Sequence, residues 1–61
     1  MCELAAAHLD GIEEAQRWLK EGGPKPTNPF GTMMDKATSD SERDHLFGAL
    51  IAWEEGFAGE L

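Results

Sequence analysis

Apolar residues recur at helical spacing in two blocks of this chain, separated by a stretch rich in proline and glycine. Over residues 3–21, Leu4, Gly11, Ile12, Ala15, Trp18 and Leu19 fall within about a third of a helical wheel. Ala5 and Leu9 widen that arc, and Glu3, Asp10, Glu13, Glu14, Arg17, Lys20 and Glu21 fill the opposite side. His8 lies in the middle of the apolar arc, the position of a core histidine with a satisfied ring. The pattern predicts one amphipathic helix. Gly11 weakens it by about 1 kcal/mol relative to alanine. With Ala15 four residues on, it forms a small-residue seam where a second backbone can approach closely. A competing reading starts a shorter helix at Asp10, with Glu13 as its capping-box partner; the continuous helix is the favoured one.

Gly22-Gly23-Pro24 ends this helix, because glycine suits a left-handed closing residue and proline cannot continue the turn. Pro24, Pro26 and Pro29 stiffen an extended connection. Asn28 followed by Pro29 matches an N-cap and first helical position. A short helix over 29–37 is therefore expected, laying Phe30, Met33 and Met34 over the core. The last helix is expected over 40–58, starting near Ser39. Ser39 and Glu42 have capping-box spacing, and Asp40, Glu42 and Asp44 complement the positive end of the macrodipole. Its main stripe is Leu46, Ala49, Leu50, Trp53, Gly56, Phe57 and Leu61, flanked by the small residues Gly48, Ala52 and Gly59. A second apolar strip, Phe47, Ile51 and Ala58, makes the arc wider than one partner helix requires, so something else must cover Phe47 and Ile51. The fold class that follows is all-α: a two-helix hairpin with a Pro-rich connection and a short third helix, in a single small domain spanning 1–61.

Composition supports helix, with no valine, no tyrosine and plentiful alanine, leucine and glutamate. At 61 residues the chain is near the lower limit for a self-sufficient core. It gains from a partner or from a second copy. Charge narrows the partners: twelve acidic side chains face five basic ones, for a net charge of −7. Such a field repels nucleic acid and anionic membrane and attracts basic protein surfaces. The lone cysteine, Cys2, excludes an internal disulfide and fits a reducing compartment. No signal peptide or membrane-length apolar run is visible, so a cytoplasmic location is expected.

No P-loop, dinucleotide-binding glycine motif, paired-cysteine or zinc-protease motif occurs. A zinc site would need His8 and His45 to meet across the hairpin beside carboxylates, and Cys2 and His8 lack helical ligand spacing. The acidic run from Asp35 to Asp44 lacks the glycine and ligand order of a calcium loop and reads as a linker and helix start. Glu13-Glu14 and Glu54-Glu55 diverge by about 100° on a helix and form no acid–base pair. Trp18, Trp53 and Phe57 lie on apolar faces and read as core rather than as base-stacking platforms. The tripeptide Asn28-Pro29-Phe30 matches a peptide read by endocytic adaptor domains, but here it reads as turn chemistry. A non-enzymatic protein without cofactor or metal is expected.

The order Gly11-Ile12-Glu13-Glu14-Ala15, Asn28-Pro29-Phe30, Ala52-Trp53-Glu54-Glu55-Gly56-Phe57 resembles the layout of ribosome-modulation-factor-like proteins and related short phage and prophage products. The resemblance covers about half of the chain. It implies a helical hairpin and a phage or prophage setting. It does not imply ribosome binding: this chain is acidic where the ribosome-binding members are basic, and it carries a longer insert after Phe30. The expected function is inhibition of a host nucleic-acid-handling protein by docking on its basic surface, in the manner of anti-CRISPR proteins and other DNA mimics. Glu13, Glu14, Asp40, Glu42, Asp44, Glu54 and Glu55 are the expected contacts, with no direct nucleic-acid binding. The alternative is a structural or assembly subunit that homodimerises through Phe47 and Ile51.

Overall fold

The computed structural model describes residues 3–61, with Glu3 described for its backbone only; Cys2 lies outside the described residues. Helix α1 spans Glu3–Glu21, α2 Pro29–Lys36 and α3 Asp40–Gly59, with no strand among the described residues. The all-α class and the pairing of two long helices through a Pro-rich connection are as expected.

Local chemistry sets each boundary. α1 runs unbroken through Asp10, so the shorter helix capped there does not form. Its end is closed by Gly22 and Gly23, at φ of 77° and 86°, and the Gly22 N–H donates to the Trp18 carbonyl at 2.7 Å. The Asn28 side chain accepts from the Phe30 N–H at 3.0 Å, and Pro29 opens α2 without wasting a donor. The Ser39 hydroxyl accepts from the Glu42 N–H at 3.1 Å and starts α3.

The direction of the helices refines the expected hairpin. Leu4 lies beside Gly48, Gly11 beside Trp53 and Phe57, and Gln16 donates to Glu60 at 2.6 Å. Both sequences ascend together, so α1 and α3 run parallel. The chain reverses twice to achieve this. Asn28 reaches Leu50, while Met34 lies with Arg43 and Phe47, so α2 runs back antiparallel to α3. α3 is central: α1 and α2 both pack on it, and α1 and α2 make no backbone approach to each other among the described residues. The molecule measures 37 × 24 × 15 Å. Its short dimension little exceeds one helix diameter of about 10–12 Å, so the helices lie nearly in a layer.

A layer buries little. The core is Ala15, Trp53 and Phe57, with Trp18 and Phe30 half-buried against it. Trp53 and Phe57 are 1 % and 2 % exposed. The Phe57 ring stacks on Trp53 at 5.1 Å and on Trp18 at 5.8 Å between centroids. The Pro-rich strap crosses over this stack. Trp18 Nε1 donates to the Gly23 carbonyl at 2.9 Å, and Lys25 Nζ sits 5.5 Å from the Phe57 ring centroid.

On α1 the buried stripe is Ala7, Gly11 and Ala15, not the larger apolar side chains. Leu4, Ala5, Leu9 and Leu19 are exposed, contrary to the wheel-based expectation. The cause is the glycine seam. A Cβ at Gly11 would overlap the Trp53 carbonyl oxygen, and one at Gly56 would overlap the His8 carbonyl oxygen. With the backbones this close, the centre of the interface is left to Ala7, Gly11 and Ala15, Ile12 and Leu4 reach Gly56 and Gly48 from its margins, and Leu9 and Leu19 are turned outward. His8 is corrected for the same reason: its backbone abuts Gly56 while its side chain is exposed, so it is not a core histidine. Met33 and Leu61 are also exposed, so neither covers the core.

Candidate protein-interaction surface

Phe47 and Ile51 remain 50 % and 40 % exposed, because α2 packs to one side of them. Phe47 lies in a shallow groove with Asp40, Asp44, Arg43 and Met34. Asp40, Asp44, Phe47, Ile51 and Glu55 follow one another at three- and four-residue intervals, so they share one face of α3. The fold thereby builds an apolar strip with carboxylates at both ends.

The acidic residues differ in how far the fold uses them. Asp40 faces Arg43 at 3.4 Å, a bond between two exposed side chains that contributes little. Glu14 pairs with Arg17, and Glu54 accepts from the Asn28 amide at 3.3 Å. Glu13, Glu42, Asp44 and Glu55 are exposed. Glu13 and Glu14 belong to α1 and do not line the groove around Phe47. Their side chains therefore lie apart from the α3 strip. The α3 end has no basic residue in its last turn, yet Glu54 and Glu55 lie about one turn from it and Glu60 caps it. Carboxylates near that negative end are unfavourable by about 0.3–1 kcal/mol each, and more so the closer they lie.

One acidic residue has a role that the helical pattern does not show. Asp10 falls on the polar side of the α1 wheel, yet its Oδ2 accepts from Trp53 Nε1 at 2.8 Å. A nearly buried indole needs an acceptor, and a mid-helix aspartate next to the seam glycine is the available signal for one. Asp10 also edges a second, apolar groove of about 270 Å³ on the opposite face. Ala6 and Ala7 form one wall of it with Asp10, Phe30 forms the other, and Leu46 and Ala49 form the floor. This groove exists because α1 and α2 flank α3 without closing over its N-terminal half.

His45 borders the same groove, while His8 lines neither groove. Among the described residues no cluster of three or more histidine, cysteine, aspartate or glutamate side chains is arranged to hold a metal ion. No helix among them is long and apolar enough to cross a membrane. Compared with protein-family models, with curated proteins and with solved structures, the chain matches none.

Proposed function

We propose that this is a non-enzymatic binding protein that docks on the basic surface of a host nucleic-acid-handling protein and inhibits it there. The supporting observation is the outward face of α3, where exposed Phe47 and Ile51 lie between the exposed carboxylates Asp40, Asp44 and Glu55. Carboxylates would stand where phosphates otherwise sit, and the two apolar side chains would supply the desolvated centre that a charged rim alone lacks. A net charge of −7 provides long-range attraction to a cationic groove. A phage or prophage setting and a cytoplasmic location belong to the same reading.

The test is binding to a purified basic nucleic-acid-binding protein of the host, followed by displacement of its nucleic acid. Affinity is expected to fall by about tenfold when salt is raised several-fold. The double variant Glu54→Lys/Glu55→Lys is expected to weaken binding by at least as much. Salt-independent binding would sink the electrostatic mechanism.

The exposure of Phe47 and Ile51 also supports a second reading, self-association through this strip into a larger helical assembly. Sedimentation at micromolar concentration separates the two. A dimer dissociated by Phe47→Asp favours the second reading, and a monomer favours the first.

A further inference from the structure

We infer that the groove beside Asp10 is the anchor site for one arginine side chain of the basic partner. This rests on the docking reading above and requires the partner to reach past one flank of the layer, because the groove and the Phe47 strip lie on opposite faces. The groove of about 270 Å³ is smaller than the roughly 300–1,000 Å³ of sites that hold drug-sized ligands. That size suits a single long side chain. Its lining is apolar apart from His45 and Asp10, and the Asp10 carboxylate is held in place by the Trp53 indole N–H at 2.8 Å. A carboxylate has lone pairs beyond the one that this bond occupies. Arginine matches both features: its three-carbon stem packs on apolar walls, and its guanidinium donates in-plane to a carboxylate. An aliphatic side chain would take water from Asp10 and leave its charge only the Trp53 bond, which is costly. An acidic one would be repelled by Asp10 and by the net charge of −7.

The probe is N-acetyl-arginine methylamide, with the neutral isostere N-acetyl-citrulline methylamide as control, titrated to millimolar concentration and followed by NMR. The arginine probe is expected to shift the Trp53 indole N–H and the methyl signals of Ala7 and Ala49. Citrulline is expected to bind about tenfold more weakly, the loss of one charge-assisted contact. Asp10→Asn should erase that discrimination while leaving an acceptor for Trp53. Ala6→Leu, at an exposed wall residue, should abolish the shifts with Asp10 intact and the helix content unchanged by circular dichroism. If Asp10→Asn fails to fold, Ala6→Leu decides. Equal binding of citrulline, or no groove shifts with arginine, overturns the anchor. Salt-sensitive partner binding that survives Ala6→Leu but is lost in Glu54→Lys/Glu55→Lys would also refute the anchor, and would leave the docking reading standing.

Discussion

α1 and α2 hold to opposite flanks of α3 by different means. The α1 flank is a backbone contact: Gly11 meets the Trp53 carbonyl, Gly56 meets the His8 carbonyl, and Ala7 and Ala15 fill the remaining space. The α2 flank is held by particular side chains. Asn28 caps its own helix, donates to the Leu50 carbonyl at 3.0 Å and reaches Glu54, while Phe30 leans on the core. A backbone contact tolerates no added atom, whereas a side-chain clamp fails when one group is removed. The two seams should therefore respond to opposite kinds of substitution.

Adding a methyl group on the α1 side should have the largest effect. Gly11→Ala and Gly56→Ala each drive a Cβ into a carbonyl oxygen that belongs to a helix and cannot shift alone. Each is expected to destabilise the fold by about 3 kcal/mol or more, the upper range for overpacking, and thermal melts by circular dichroism measure it. A loss below that of an ordinary surface change would mean that the helices do not touch here. Removing a group on the α2 side comes next. Asn28→Ala loses the cap and the bond to Leu50 together, for about 1–2 kcal/mol, with the loss concentrated in α2. The smallest effect is a gain. Gly31 lies inside α2 at a negative φ, and a side-chain methyl there would meet only open space. Gly31→Ala should stabilise by about 0.5–1 kcal/mol through helix propensity, read as a higher melting temperature. Alanine at Gly11 and at Gly31 differ only in what the new atom meets, so the pair isolates the seam.

The contrast also explains what could be read from the residues beforehand. Helix limits were legible because caps are local: Asn28-Pro29, Ser39 with Glu42 and Gly22-Gly23 each act within a few positions. The close approach at Gly11 was legible too, since a glycine in an apolar helical face needs a reason to be there. Helix direction was not, because an amphipathic stripe is the same read from either end. The outward leucines were hidden because a wheel weights residues by hydrophobicity, whereas a glycine seam selects by size and rotates α1 to suit. The role of Asp10 was hidden because it depends on Trp53, a residue 43 positions away. Of the candidate interaction surface, Phe47 and Ile51 were visible as apolar positions in excess of one partner. The groove beside Asp10 was not, since it arises from two helices that fail to meet.

That failure to meet has a mechanical consequence. α2 packs on α3 alone, so its release would break one interface and leave the α1–α3 pairing untouched. Such release would carry Phe30 away from Ala6 and Ala7 and change the groove from a slot of fixed width into a clasp.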